Sequence, residues 1–226
     1  MRTTVSIKDV RPLWRTVGVF FREVLGGPAR KVPLDAGFSC PNRDGTIGRA
    51  GCSFCNAAGS GTGRHALGQS LTEQWAALAP RVRARTPKAR LLAYLQAYTN
   101  THASPERLAA VLSETAALPD VSGLCLGTRP DCLDVGAGEA RLDVLAGVVR
   151  LGLPFVQLDL GLQSADDAVL SRAGRGHDAA CFAAAVRAAA ARGLYVCAHL
   201  MFGLPGAASD DLARSVAFVN DLPVAA

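Results

Sequence analysis

Three cysteines lie close together near the start of the chain, in a stretch that is rich in glycine. Eleven residues separate Cys40 from Cys52, and Cys55 stands three positions further on. Three thiolates are one ligand short of a closed tetrahedral site, and a metal centre held by three protein ligands keeps one position open for chemistry. The glycines between the cysteines allow the loop to wrap closely around a bulky group.

The composition of the chain limits the classes of protein that it can belong to. Its 226 residues, half of them hydrophobic, suffice for one large α/β domain. The net charge of +5 permits a nucleic-acid partner without requiring one. No signal peptide and no membrane-spanning apolar stretch is recognisable, so we expect no membrane partner and a reduced, cytoplasmic compartment. The seven cysteines then indicate metal binding or catalysis rather than disulfides.

Apolar strands and helices alternate along the chain. This βαβ alternation predicts a parallel sheet whose strands are covered on both faces. The predicted strands are residues 32–38, 91–96, 121–127, 155–162 and 195–202. The predicted helices are residues 14–25, 70–85, 104–117, 139–151, 178–192 and 209–220.

A polar or glycine-containing segment follows each predicted strand. Parallel α/β folds bind ligands at the carboxyl ends of their strands, so these segments are candidates for a site. The cysteine loop also follows a strand, and we predict that it lies on the same rim. The other segments are residues 96–100, 128–131, 163–164 and 203–206.

These segments resemble the radical S-adenosylmethionine (SAM) family, most closely its subfamily related to the Elongator catalytic subunit. The resemblance runs from about residue 14 onward. The family usually places three and then two residues between its cysteines; the longer first gap here departs from that pattern and agrees with the subfamily. The matching stretches are residues 32–45, 96–101, 127–132, 160–165, 175–178 and 199–206.

The resemblance implies an α/β fold of a defined kind, a partial open (β/α)6-type barrel. An N-terminal helical segment is expected at residues 1–30 and the radical SAM core barrel at residues 31–226. Five of the usual six strands are recognisable, so we expect a truncated C-terminus without the last strand. The fifth strand would then present an unpaired edge.

The same resemblance implies the cofactors. Cys40, Cys52 and Cys55 are expected to ligate a [4Fe–4S] cluster whose fourth iron is left for SAM. An electron from a flavodoxin- or ferredoxin-type donor would cleave SAM to methionine and a 5′-deoxyadenosyl radical that abstracts hydrogen from a substrate. Kinship with the Elongator catalytic subunit makes tRNA the leading substrate, for a wobble-uridine modification.

The resemblance also implies SAM contacts near the first two strands. Phe54 is expected to pack near the adenine. Tyr98, Thr99 and Asn100 follow the second strand, where the family binds the methionine amine.

Further SAM contacts are implied at the later strands. Gln163 and Ser164 suit the ribose hydroxyls, and Gly203 would let the backbone approach the adenine. Arg129 and Asp131 are charged groups on a mostly apolar rim and are expected to meet the SAM carboxylate or the substrate.

Several alternatives stay open at this stage. A zinc ion completed by His65 would make the chain a nucleic-acid-binding or scaffold domain without catalysis. A fragment that binds a cluster but turns nothing over is a third interpretation. His199, inside the fifth strand, either faces SAM or substrate in the barrel or is a satisfied core histidine. The basic residues between positions 81 and 90 form either a solvated face or an RNA surface.

Overall fold

Five parallel strands form one sheet in the part of the chain that the structure describes, residues 15–56 and 59–226. In this computed structural model each strand pairs with the strand that follows it in sequence. The chain-order parallel sheet, with helices between its strands, confirms the predicted α/β fold and partial open barrel. The strands are β1 (Ala29–Leu34), β2 (Arg90–Leu95), β3 (Val121–Thr128), β4 (Val156–Gln163) and β5 (Tyr195–Leu200).

Helices connect the strands. Ser70 begins one of them with a reciprocal capping box, in which its hydroxyl accepts from the Glu73 amide and the Glu73 carboxylate accepts from the Ser70 amide. Within the described ranges, no helix has the length and apolar character needed to cross a bilayer. The helices are α1 (Val17–Leu25), α2 (Leu71–Arg85), α3 (Pro105–Ala116), α4 (Ala140–Gly147), α5 (Asp167–Arg172), α6 (Ala179–Ala190) and α7 (Asp211–Asn220).

Strand β4 shows how the sheet separates its two faces. Leu158, Leu160 and Leu162 belong to the main hydrophobic core. The alternate residues Asp159 and Gln163 line a cavity on the other face. Because successive side chains of a strand point to opposite faces, one strand supplies both the helix-covered core and the interior of the barrel.

An aromatic layer lies at the amino-terminal end of the strands. Phe20 and Phe21 of α1 pack against Phe155, with ring centroids 6.2 and 5.9 Å away. Tyr195 stacks on Phe155 at 5.0 Å. Helix α1 therefore covers this end of the sheet, opposite the carboxyl ends where the candidate site residues lie.

The first strand differs from its prediction. It covers Ala29–Leu34 rather than residues 32–38. The strand ends because the Gln74 side chain pairs with the backbone of Asp35 in place of a neighbouring strand. Gln74 Oε1 accepts from the Asp35 amide and Gln74 Nε2 donates to the Asp35 carbonyl, both at 2.8 Å. Gly37 then adopts a φ of 68°. Residues 1–14 of the predicted N-terminal segment lie outside the described residues, so the segment boundary stays a prediction.

Two helical predictions are refined by the structure. The helix predicted at residues 139–151 divides into α4 and a 3-10 turn at Val148–Leu151. Helix α5 was not predicted. It is short, and it begins where the Asp166 carboxylate accepts from the amides of Ala168 and Val169.

The edge of β5 is not bare, and the prediction of an unpaired fifth strand is wrong at this point. The Ala225 amide donates to the Val196 carbonyl at 2.8 Å, and the Ala198 amide donates to the Ala226 carbonyl at 2.8 Å. The last residues thus bond to the middle of β5 without forming a further strand of the described sheet.

We expect Phe155→Ala to reduce the free energy of unfolding by about 3–5 kcal/mol, because Phe155 is 1% exposed and joins α1 to the sheet. Val149→Ala is the control; Val149 is 51% exposed, and its change should stay within about 0.5 kcal/mol. Urea denaturation of both variants measures the difference. Equal stabilities would contradict the role of the aromatic layer.

Candidate functional site

Two turns of the cysteine loop are bonded to each other and to the barrel. The first turn closes where the Arg43 amide donates to the Cys40 carbonyl at 2.8 Å. The second closes where the Cys55 amide donates to the Cys52 carbonyl at 3.0 Å. Asn42 joins them, because its carbonyl accepts from the Gly51 amide at 2.8 Å.

One cavity of about 200 Å³ brings the three cysteines together with the rim of the sheet. Cys52 is buried, Cys40 is half-buried and Cys55 is exposed. The cavity lies at the carboxyl ends of the strands, as predicted for a parallel α/β fold. Its lining is formed by Cys40, Arg43, Cys52, Phe54, Cys55, Gly59, Ser60, Tyr94, Gln96, Tyr98, Thr99, Gly127, Thr128, Arg129, Asp159, Gly161, Gln163, Arg175 and His199.

The sulfur of Cys52 is surrounded by hydrogen-bond donors. The hydrogen bond from Cys55, together with Arg175 and Asn42, lowers the pKa of Cys52 despite its burial. Asn42 Nδ2 lies 3.2 Å from the sulfur and Arg175 Nη1 lies 3.8 Å from it. These donors favour the thiolate, which is the form of cysteine that binds metals.

Two polar atoms among the residues that line the cavity are buried without a hydrogen-bond partner, Arg129 Nη1 and Gln163 Oε1. The other guanidinium nitrogens of Arg129 donate to Asp131, at 2.9 and 2.8 Å, and to the Arg175 carbonyl. Buried polar groups are nearly always paired, so an unpaired donor and an unpaired acceptor indicate a polar ligand. A carboxylate suits the first atom and a hydroxyl suits the second.

The three sulfurs are not all close to one another, although Cys55 is hydrogen-bonded to Cys52. In a tetrahedral zinc site, Zn–S bonds of about 2.3 Å place the sulfurs about 3.8 Å apart. Among the described residues, the group whose ligand atoms all lie within 4.8 Å of one another consists of Asp159, Cys197 and His199. The cysteine trio does not meet that limit, and His65 is not part of the cavity lining.

Deeper in the same cavity, Asp159 joins residues from three strands. Lys31 Nζ of β1 lies 2.5 Å from its Oδ2, and His199 Nε2 of β5 lies 3.6 Å from the same oxygen. Gln157 Nε2 donates to its Oδ1 at 2.6 Å. The Lys31 ammonium also lies 4.4 Å from the centre of the Tyr94 ring. We call Lys31, Tyr94, Asp159 and His199 the interior polar cluster.

The charges of the interior polar cluster are set by its hydrogen bonds. Burial alone would raise the pKa of Asp159, but the contact with His199 and the charge of Lys31 outweigh it and lower the pKa to about 2. The contacts of His199 with Asp159 and Cys197 raise the pKa of its imidazole to about 9. Burial and the charge of Asp159 raise the pKa of Tyr94. At neutral pH His199 is therefore an imidazolium and Tyr94 keeps its proton.

The structure brings together eight of the twelve residues that the sequence analysis assigned to the site. The four others have different surroundings. The Ser164 hydroxyl donates to Asp211 Oδ1 at 2.7 Å, and Asn100 Nδ2 donates to the Gly127 carbonyl at 2.9 Å. Asp131 holds Arg129, and Gly203 lies in the loop after β5 with a φ of 70°. The eight in the cavity lining are Cys40, Cys52, Phe54, Cys55, Tyr98, Thr99, Arg129 and Gln163.

The sequence analysis missed Arg175, Asp159 and Tyr94 as members of the site. Asp159 carried a usable signal, because a charged residue inside an apolar strand needs a partner. Arg175 lies in a stretch that matched the family, but its contact with Cys52 arises only from folding. Of the two interpretations of His199, the structure favours the one in which it faces the barrel interior, because it lines the cavity.

Comparison with known proteins places this site in a family. The family model described as Radical SAM superfamily matches residues 42–219. Protein YhcC of Escherichia coli (strain K12) is 46% identical over 182 residues, which are 80% of this chain and 56% of that protein. Uncharacterized protein YtqA of Bacillus subtilis (strain 168) is 36% identical over 211 residues, 93% of this chain and 64% of that protein. The chain thus spans between half and two thirds of these relatives.

Solved structures with low sequence identity share the fold. Archaeal Elp3 of Methanocaldococcus infernus, with residues 1–46 deleted, aligns with a TM-score of 0.51 at 19% identity, over 70% of this chain and 40% of that chain. The cobalamin-dependent S-adenosylmethionine radical enzyme OxsB, with aqua-cobalamin bound, aligns with a TM-score of 0.54 at 15% identity, over 83% of this chain and 26% of that chain. Because the family model covers most of the chain, including Cys52 and Cys55, this protein belongs to the radical SAM superfamily and is similar within it to YhcC and YtqA.

Proposed function

We propose that this chain is a radical SAM enzyme that holds a [4Fe–4S] cluster on Cys40, Cys52 and Cys55 and binds SAM at the remaining iron. One observation carries the proposal: the three thiols share a cavity with Arg129 and Gln163, and each of these two residues has one buried polar atom without a hydrogen-bond partner. Three cysteines leave the cluster one open position, and the unpaired atoms match a ligand that has both a carboxylate and hydroxyls. SAM is such a ligand.

The residues of the cavity fit this pair of cofactors by their chemistry. When bound, the cluster and SAM together supply the reductive cleavage that starts radical chemistry. Arg129 Nη1 would donate to the SAM carboxylate, and Gln163 Oε1 would accept from a ribose hydroxyl. Phe54 offers an apolar face near the cysteines for the adenine. Tyr98 and Thr99 lie where the methionine amine is expected.

Two buried arginines prepare the cavity for negative charge. Arg175 is 6% exposed and Arg129 is 3% exposed, and both line the cavity beside Cys52. Asp131 pairs with Arg129 but not with Arg175, so the cavity holds an excess of positive charge among its described residues. Three thiolates that hold an iron–sulfur cluster form an anionic group, and the two arginines would balance its charge.

We further propose tRNA as the substrate, for a wobble-uridine modification, and a flavodoxin- or ferredoxin-type protein as the electron donor. The tRNA proposal rests on the kinship described from the sequence. Arg49 of the cysteine loop and Arg172 of α5 are exposed cations on segments that follow strands, which supports an anionic macromolecule at the carboxyl ends of the strands. The basic residues 81–90 lie at the end of α2, in the following turn and at the start of β2, and none of them lines the cavity. A cytoplasmic location belongs to the same proposal, because free cluster-binding thiols need a reducing compartment.

The anaerobic, iron- and sulfide-reconstituted chain should be brown and should release 5′-deoxyadenosine from SAM under a strong reductant. Cys52→Ala should lose the colour and the cleavage together, because it removes the most buried of the three ligands. Cys181→Ala is the matched control, since Cys181 lies on α6 and does not line the cavity. Iron and sulfide analysis, the visible spectrum and chromatography of the nucleoside are the measurements.

The two alternative interpretations predict different results in that experiment. A colourless protein that carries one zinc ion per chain would overturn the cluster and favour the scaffold interpretation. An intact cluster with no 5′-deoxyadenosine would favour the fragment that binds a cluster without turnover.

The tRNA proposal is tested by the nucleoside profile of tRNA from cells that lack the gene. We expect loss or depletion of one modified wobble uridine, restored by the intact gene and not by the gene that encodes Cys52→Ala. Mass spectrometry of digested tRNA provides the measurement. An unchanged profile would count against tRNA and leave the cluster proposal intact.

A further inference from the structure

The interior polar cluster has no part in holding the iron–sulfur cluster or SAM in the proposed function, yet it lines the same cavity through Tyr94, Asp159 and His199. Its side chains come from β1, β2, β4 and β5, so the barrel rather than a flexible loop sets their positions. Buried charges are costly unless they are paired, and a paired set inside a cavity is a common mark of a binding site.

The charges of this cluster do not cancel. Asp159 carries one negative charge and is 3% exposed, while Lys31 and His199 each carry a positive one. Lys31 is not part of the cavity lining, since its ammonium is used by Asp159 and the Tyr94 ring. The remaining positive charge is therefore that of His199, whose side chain is 46% exposed.

A metal ion is a poorer explanation of this cluster. The ligand atoms of Asp159, Cys197 and His199 lie within 4.8 Å of one another, which a metal ion would require. However, the Lys31 ammonium already contacts the Asp159 carboxylate at 2.5 Å, and a cation would have to displace it. The imidazole would also have to lose the proton that Asp159 stabilises.

We propose that the His199 imidazolium, supported by Asp159 and Lys31, is the binding site inside the barrel for an oxyanion of the substrate, a carboxylate or phosphate oxygen. The identification of this oxyanion as part of a substrate rests on the proposed function; the binding of an oxyanion by His199 does not. A charged donor at the wall of a cavity binds such an oxygen more strongly than a neutral donor does. His199 is thus a positioning residue for substrate.

The first test is the protonation of His199 itself. Its imidazole resonances should titrate near pH 9, and in Asp159→Asn the pKa should fall towards the ordinary value of 6.5, because the partner that stabilises the charged form is gone. Since the folded pKa is raised, the charge is present at neutral pH and is lost as the pH passes about 9. A titration near 6.5 in the unaltered chain would overturn the proposal.

Several titratable or charged groups face His199 and affect its titration. Asp159 and Cys197 contact it, and Lys31 shares the carboxylate. Tyr94 stays protonated on β2, and Arg175 keeps a positive charge at the same cavity. Of these groups only Asp159 is altered in Asp159→Asn, so a lower pKa of His199 in that variant reports the loss of the Asp159 carboxylate.

The binding test uses acetate and inorganic phosphate as probes, with neutral acetamide as the control for shape. Acetate or phosphate should shift the His199 resonances in a saturable way, and acetamide should not. Binding should weaken about tenfold at one pH unit above the pKa of His199, where only a tenth of the imidazolium remains. The preference between acetate and phosphate distinguishes a carboxylate source from a phosphate source.

Matched variants assign the binding to this residue. His199→Gln keeps an N–H donor but loses the charge, so it should weaken probe binding about tenfold, as judged by amide shifts of neighbouring residues. His65→Gln is the control, because His65 is exposed and outside the cavity lining. Equal binding by both variants, or equal shifts with acetamide, would overturn the inference. The full chain is used without reconstitution, so failure here is distinct from failure to form the iron–sulfur cluster.

Discussion

The position of the cysteine loop depends on one buried contact between Asn42 and the turn that contains Gly174 and Arg175. Asn42 Nδ2 donates to the Gly174 carbonyl at 2.5 Å and to the Cys52 sulfur at 3.2 Å. Arg175 reaches from the same turn to the Gly161 carbonyl of β4 at 2.9 Å. A loop that follows β1 is thereby fixed to β4, on the far side of the sheet, and the three thiols are held over the strand ends.

This contact also determines the electrostatics of the cavity. Arg175 is held by a carbonyl, a sulfur and the ring of His177, none of which is a carboxylate. Its charge and that of Arg129 lower the pKa of His177 to about 4, after the larger effect of burial. A neutral histidine can accept from Arg175, so this hydrogen bond exists only while His177 is unprotonated. The same charge favours thiolate at Cys52.

Much of the fold and part of the site could be predicted from the sequence. The five strands were found because buried parallel strands are continuous apolar runs, and the cysteine trio was found because its residue types have few other uses in a reduced compartment. The boundary of β1 was missed because Gln74, distant in sequence, bonds to the backbone of Asp35. Ser164 was assigned to SAM because it follows a strand, whereas folding places Asp211 within reach of its hydroxyl. Arg175 and Asp159 act through partners more than a hundred residues away, and such contacts have no local pattern.

The aromatic layer contributed by α1 has a consequence for traffic through the barrel. Phe20, Phe21 and Phe155 fill the amino-terminal end of the barrel with packed rings, so the cavity beneath the cysteines is closed at that end. SAM and a substrate must then enter at the carboxyl ends of the strands or through a gap beside the outer strands. A substrate bound against His199, as proposed above, would therefore have to enter and leave by the same end of the barrel as SAM or through such a gap.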